Sequence, residues 1–315
     1  MHPVIVVGAG ISGVACARAL AAADMPVVLL DRGHRIGGRM ASKLLDERAV
    51  DLGASYFTVS DDRFRAEVER WEAAGLARPW TDTFQVLEAG AEPSSKQGPV
   101  RYAAPGALRS LVEELARPLD VRRTAAEQVT HGDDGLAVDA QPASAVVLAM
   151  PDPQAVTLLG AGLQDVAGEL TRTWDPVLAL VARFAERTWD LNGAFVNGDD
   201  DLEWIADDGR RRGDDAPVLV AHSTSARAAR HLDDPDAAEP ALREALVRVL
   251  GLDADPVGTL VKRWSHAKPA GERDAAYLLD DRLLGACGDG WGSPKVEGAY
   301  LSGHHLGEEL VRRLS

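Results

Sequence analysis

The chain has 315 residues, 46% hydrophobic and 26% charged, the balance of a globular protein with room for two domains or for one nucleotide domain with a second woven into it. Its 34 basic and 49 acidic residues give a net charge of −15 with no basic stripe, which excludes a nucleic-acid or anionic-membrane surface as partner. Two cysteines in unrelated contexts, Cys16 and Cys287, exclude a disulfide framework and a zinc site; no metal is expected, and a reducing, cytoplasmic setting is.

The apolar run that starts at Pro3 has no basic leader before it and is broken by three glycines, so it predicts strand–turn–helix rather than a membrane span. "PVIVVG" (3–8) predicts a β-branched strand, residues 10–25 a helix and "PVVLLD" (26–31) a second strand, together a βαβ unit. A glycine-containing connection follows (33–42), then an initially extended segment (48–60). Residues 61–76 predict a helix with Asp61 as N-cap and Phe64, Val68 and Trp71 on its apolar face. Residues 90–99 read as a loop, 104–119 as a helix with Pro105 near its start, 127–140 as a hairpin turning at Gly132–Gly135, and 144–151 as a buried strand before a short helix.

The middle changes character. Residues 176–186, 193–209, 216–225 and 257–271 predict strands interrupted by one amphipathic helix, 236–252, and "GRRRG" (209–213) reads as a solvated hairpin tip. Nucleotide character returns in 282–291 and in the helix of 295–315. The two chain ends are therefore expected in one domain (1–60, 100–165 and 272–315), with 61–99 and 166–271 forming an inserted α+β domain with an antiparallel sheet.

Gly8-x-Gly10-x-x-Gly13 lies between strand and helix. Gly8 permits the tight turn, Gly10 lets a pyrophosphate approach the backbone, and Gly13 with Ala17 lets the helix pack on the strand. Asp31, 18 residues after Gly13, is placed to accept hydrogen bonds from a ribose. Arg32 is expected to pack on the adenine or face solvent, because Asp31 would repel a 2′-phosphate.

Three segments distinguish a resident flavin from an exchanging nicotinamide. Where a plain nicotinamide domain starts a crossover helix, this chain has "RGHRIGGRMAS"; Gly37 and Gly38 let the backbone lie against a ligand and Arg39 reaches its phosphates. Gly288-Asp289 ends a strand with a carboxylate suited to ribityl hydroxyls. "VEGAYLSG" opens a helix whose first amides, near Gly298 and Ala299, are expected to face the flavin N1–C2=O edge, with Ser302 and Gly303 packed beneath the flavin.

Through VxxGAGxxG, Asp31, "GGR" at 37–39 and the terminal "GD…EGA..SG", the chain resembles the FAD-dependent amine-oxidase superfamily. Through "VDLGASYFTVSD" (50–61), "YAAPGALRSLVEELA" (102–116), "VVLAMPDPQAVTLL" (146–159), "LEWIADD" (202–208), "VLVAHSTS" (218–225) and "RWSHAKP" (263–269) it resembles the renalase branch more narrowly, over nearly its whole length. The resemblance implies a Rossmann-type FAD-binding domain of the p-hydroxybenzoate-hydroxylase kind, FAD held noncovalently, and oxidation of dihydronicotinamide isomers by hydride transfer to flavin N5, with O2 as acceptor giving H2O2. Ala54, Ser55 and Val129 complete the expected cofactor contacts. The chain departs from the pattern at His304-His305 and at Trp291.

Hydride transfer needs position and dryness more than acid–base groups, so no catalytic triad is expected; there is no GxSxG and no HExxH. Tyr56, Phe57, His222, Trp264 and Trp291 are the pocket candidates, with competing readings as core packing for Tyr56, Phe57 and Trp264, as a structural histidine for His222 and as a loop tryptophan packed on the surface for Trp291. Trp204 and His266 are secondary candidates, and Lys268, which could bridge to N5 through a water, stays outside the catalytic set. Cys287 lies within a strand and is not expected as a covalent flavin anchor. An amine oxidase or desaturase-like enzyme on the same scaffold, and a flavin-binding protein without turnover, are the alternatives.

Overall fold

A computed structural model describes residues 2–315. Six strands form the first sheet in the order Leu278–Leu279, Leu284–Ala286, Ala145–Leu148, Val4–Val7, Val27–Leu30, Asp120–Arg122. All pairs are parallel except the antiparallel edge at Leu278–Leu279. Val4–Val7 is central and buried at every position because both faces are covered, which is why an uninterrupted VIVV run suits it. Val4 and Val6 join the core under the helices Ile11–Ala22, Leu108–Ala116 and Val296–Leu314. Ile5 and Val7 point the other way, to Val129, Leu136 and Val138 of a three-stranded antiparallel sheet.

The helices of the two chain ends touch backbone to backbone. A Cβ on Gly303 would lie 1.8 Å from the Ser12 carbonyl oxygen, and one on Gly307 would lie 2.7 Å from that of Cys16. Small residues here serve helix–helix contact; Ser302 accepts a hydrogen bond from the Gly288 amide at 3.0 Å. The expectation that Ser302 and Gly303 pack beneath the flavin is corrected accordingly.

The second large sheet has seven strands in the order Gly258–Pro269, Trp174–Arg183, Val218–Ser223, Leu202–Asp207, Gly193–Asn197, Arg78–Glu88, Ser94–Ala103. Its pairs are antiparallel except Gly193–Asn197 with Arg78–Glu88. The period of two sorts its side chains: Leu178, Leu180 and Ala182 pack on Leu242, Ala245 and Leu246 of the helix Glu239–Leu250. The opposite face carries Val177, His222 and Trp264, joined by the register Val177↔Trp264 and Ala179↔His222.

Three local expectations need correction. Residues 90–99 are not a loop: Ser94–Ala103 is an edge strand paired with Arg78–Glu88. Its first seven positions are exposed, so no alternation marks it, and only the partner strand makes it regular. The helix of 104–119 is shorter, Leu108–Ala116, with Pro105 in the turn before it. The "GRRRG" run is not a solvated tip. Asp208–Arg212 is a short helix in which Arg211 is 1% and Arg212 7% exposed. Buried acids draw these arginines in: Arg211 pairs with Asp208, and Arg212 lies 3.7 Å from Asp51. Helix Asp62–Ala73 starts where expected, with Asp61 accepting from the Arg63 amide, and it buries Phe64, Val68 and Trp71 in the core of the parallel sheet.

Candidate active site

One cavity of about 1730 Å³ runs between the carboxyl ends of the parallel strands and the open face of the antiparallel sheet. Pockets for single drug-sized ligands hold roughly 300–1,000 Å³, so this one has room for a dinucleotide and more.

At its first end the strand Val4–Val7 turns into the helix Ile11–Ala22. Gly8 has φ +107°, and a Cβ there would meet the Ala149 carbonyl oxygen at 2.6 Å. Gly10 sits at the N-cap with no side-chain cap, so the first amides of the helix are open to the cavity. Gly38 (φ +52°) brings a second backbone alongside, and a Cβ on it would lie 3.3 Å from the Gly10 Cα. Side chains at Gly10 and Gly38 would fill this cradle. Gly13 lies off the wall and serves packing, since a Cβ would meet the Gly8 carbonyl oxygen at 2.0 Å.

Asp31 holds the turn together: Oδ2 accepts from the Ala9 amide and Oδ1 from that of Gly33, both at 2.7 Å. Each oxygen accepts only one of these bonds and retains further acceptor capacity, and Asp31 and Arg32 both line the cavity. Arg39 and Asp289 also line it and form a two-pronged pair, Nη1 to Oδ2 at 2.7 Å and Nη2 to Oδ1 at 2.6 Å. The pair joins residues 250 apart in sequence, and Arg39 also lies 4.7 Å above the Trp174 ring. Open helix amides, a glycine cradle, a ribose-competent carboxylate and a phosphate-competent guanidinium are the donor set a flavin dinucleotide requires, so the residues present fit FAD.

The other expected cofactor positions divide. Ala54 lines the cavity, whereas Ser55 is buried beside it, accepting from Trp204 Nε1 at 3.0 Å. Val129 is not on the wall. Its amide and carbonyl are taken by Leu158 and Gly160, and Thr124, Ala125 and Ala126, which the sequence did not single out, line the cavity instead. Gly288 (φ +145°) turns the chain toward Asp289 without lining the wall. At the C-terminal helix Ala299 lines the cavity but Gly298 does not. The Ala299 amide already donates to the Lys295 carbonyl at 2.9 Å, so the open amides are those of Val296 to Gly298.

At the sheet end, Tyr56, Phe57, His222, Trp264, His266 and Lys268 all reach the wall. Phe57 is 2% exposed and stacks on Tyr102. Trp264 is fixed by donation from Nε1 to the Leu52 carbonyl at 2.7 Å. His222 has a buried Nε2 with no hydrogen-bond partner among the described residues. Burial, then the charges of Lys268 and Arg211, pull its pKa from 6.5 down to about 3, so the imidazole is neutral. Burial and the nearby Arg39 and Arg32 also lower His266. Lys268 pairs with Glu203.

Trp291 and Trp204 lie off the cavity. Trp291 is in the core behind the parallel sheet, covered by Arg273 at 3.8 Å, and Trp204 fills an aromatic cluster with Phe84 and Tyr56. His304 and His305 stay with the outer helix, stacked on Tyr300 and beside Arg63, so these departures do not alter the pocket wall. Burial pushes the Cys287 thiol up to about 12, which leaves no thiolate nucleophile there. Among the described residues no group of three or more His, Cys, Asp or Glu is placed to hold a metal ion, and no helix is long and apolar enough to cross a membrane.

Sequence reasoning missed Arg101, Lys262 and Arg263 on this wall. Lys262 does share the alternation of Trp264, a signal available once that strand is recognised.

Comparisons with known proteins agree with this geometry. Residues 6–71 match the NAD(P)-binding Rossmann-like domain model, and residues 92–306 match the model for flavin containing amine oxidoreductase. Hydroxyneurosporene desaturase of Rubrivivax gelatinosus is 32% identical over 124 residues, 39% of this chain and only 20% of that protein. Polyamine oxidase 5 of Oryza sativa subsp. japonica is 47% identical over 53 residues, 17% of this chain and 11% of that one. Cyclohexylamine oxidase from Brevibacterium oxydans IH-35A has the same fold, with a TM-score of 0.78 at 15% identity over 99% of both chains. The flavin model covers well over half of the sequence, and its cofactor fits the cradle described above; the chain belongs to the flavin-containing amine oxidoreductase family, the FAD-dependent oxidoreductases.

Proposed function

We propose that the protein is a renalase-like oxidase of dihydronicotinamide isomers, with O2 as final acceptor. The observation that carries this reading is the charge of the substrate-side wall. In a chain of net charge −15, the antiparallel sheet turns Arg101, Lys262 and Lys268 toward the cavity. Such a wall favours an anionic substrate that carries phosphates and disfavours a polyamine cation.

FAD, when bound, supplies the hydride acceptor. The chain's residues do the rest. Gly8, Gly10, Asp31, Arg39 and Asp289 hold the cofactor along the parallel sheet. Val177, Phe57 and Trp264 present apolar surface that keeps water off the reacting ring. His222, neutral across the working pH range, offers a hydrogen bond without a charge that would oppose positive charge developing on the nicotinamide. In the overall balance one dihydronicotinamide, one proton and O2 yield one oxidised nicotinamide and H2O2. The division into a discontinuous cofactor domain and an inserted sheet domain belongs to the same proposal, as does a cytoplasmic location.

Anaerobic stopped-flow mixing of the FAD-loaded protein with the 2- and 6-dihydro isomers of NAD, with β-NADH and with amines tests it. The expected result is flavin bleaching by an isomer at least tenfold faster than by β-NADH. Bleaching by amines with the isomers inert would establish the second reading, amine oxidation, which the family match favours.

A further inference from the structure

We infer that Arg101 and Tyr56 form an oxyanion-binding subsite that anchors a phosphate or carboxylate of the substrate. The inference deepens the oxidase reading and rests on it for the identity of the substrate, though not for the existence of the subsite.

Five arginines are buried: Arg101, Arg109, Arg172, Arg211 and Arg212. Four have their charge or their donors answered within the protein. Arg211 pairs with Asp208, and Arg212 lies near Asp51 and donates to the Pro105 carbonyl. Arg109 donates to the carbonyls of Ile36 and Ser42 and to the Ser42 hydroxyl. Arg172 donates to the carbonyls of Ala270, Gly290 and Gly271. Arg101 differs. It is 6% exposed, donates to one carbonyl, that of Asp82, and forms no ion pair among the described residues.

A guanidinium has five donors and a permanent charge, and burying it without a counter-ion is costly. The face of Phe84, 4.3 Å from its Cζ, offsets part of that cost. What remains is a cation on a cavity wall that meets the Asp82 carbonyl and the Tyr56 hydroxyl but has no carboxylate within pairing distance among the described residues. An oxyanion accepts two parallel bonds from such a fork.

The corner is built. Phe57 and Tyr102 exchange two backbone hydrogen bonds, 3.1 and 2.8 Å, which set the segment carrying Tyr56 beside the strand carrying Arg101. Tyr56 packs on the same Phe84 ring, centroids 5.2 Å apart, and lines the cavity with Arg101. Burial raises the Tyr56 phenol and Arg101 pulls against it, so the hydroxyl stays protonated and can donate to the same anion. Arg101 belongs to the antiparallel sheet, whereas the phosphate-competent groups Gly10 and Arg39 belong to the dinucleotide end. The anion at Arg101 is therefore the substrate's.

Calorimetric titration of the oxidised, FAD-loaded protein with ADP-ribose and with benzoate tests the subsite without turnover. At least one probe is expected to bind, more weakly in high salt. R101Q should weaken it about tenfold or more, R101K less, and Y56F severalfold. In turnover the same variants should raise KM with kcat little changed. Binding of ADP-ribose supports both the subsite and a nucleotide substrate. Binding of benzoate alone supports the subsite and removes the nicotinamide reading. The subsite is overturned if neither probe binds the wild type, or if R101Q binds both as tightly as wild type does. Should R101Q fail to retain FAD, wild-type affinity in both R101K and Y56F overturns it equally.

Discussion

The two ends of the cavity are built by different means. At the end beside the parallel strands the backbone itself forms the wall. Gly8 and Gly38 hold positive φ, Gly10 leaves helix amides bare, and the carboxylate of Asp31 is fixed by two amides. At the sheet end the backbone is satisfied in ladders and only side chains face the cavity, placed there by cross-strand register. A surface made of backbone tolerates almost no substitution, whereas one made of side chains can be revised a residue at a time while the cofactor stays in place.

The largest effect that would break this comparison is at Gly13. A Cβ there would sit 2.0 Å from the Gly8 carbonyl oxygen and 3.0 Å from the Ala149 Cβ, and neither is the end of a flexible side chain. G13A is expected to be purified without bound flavin or not to fold, read as loss of absorbance near 450 nm relative to 280 nm. Retention of flavin at wild-type stoichiometry would mean that this end can shift its backbone after all.

A smaller effect is expected at Arg39. R39M removes the phosphate-competent cation and leaves the Asp289 carboxylate unpaired beside the site. Charge-assisted bonds contribute about 1.5–3 kcal/mol, so FAD should bind roughly ten- to a hundredfold more weakly. Adding D289N to R39M removes the unpaired acid and should recover part of that loss, read by equilibrium titration of the apoprotein with FAD. A double variant weaker than R39M would show that Asp289 serves the cofactor independently of Arg39.

The dinucleotide end was legible in the sequence because glycine types and spacing encode a backbone path directly. Gly8, Gly10, Asp31 and Arg39 are brought together where that spacing puts them. Asp289 was legible for the same reason, following a glycine at a strand end. Val129 was misplaced because a hairpin's sequence does not say which of its residues faces a neighbouring wall; its backbone is spent on Leu158 and Gly160. The sheet end was legible only in part. His222 and Trp264 stood out as polar or aromatic residues in apolar strands, but Arg101 lies in an edge strand with no alternation, and its burial depends on Phe84 seventeen positions earlier. Arg211 and Arg212 looked solvated because the local run does not show that the neighbouring Asp208 is itself buried or that Asp51, far away in sequence, lies beside both arginines.

The smallest effect sharpens the comparison at the sheet end, where a side chain rather than backbone is at stake. His222 has a folded pKa of about 3 against an ordinary 6.5. Above pH 6.5 both folded and unfolded chains hold it neutral, and its contribution to stability is fully present. As pH falls below 6.5 the unfolded chain takes up a proton that the folded one refuses, so stability is lost progressively down to about pH 3, at up to about 1.4 kcal/mol per pH unit. Asp51 and Asp207, raised by burial to about 6, work in the opposite sense: the folded chain keeps their protons longer, so their contribution is full below the ordinary carboxylate pKa and fades as pH rises through 6. The two trends overlap between about pH 4 and 6, so the wild-type profile alone cannot separate them. H222Q carries the same two acids without the imidazole. Measured at saturating FAD, its Tm should therefore fall less than that of wild type between pH 6.5 and 5; parallel profiles would mean that the imidazole takes up its proton in the folded protein as readily as in the unfolded one.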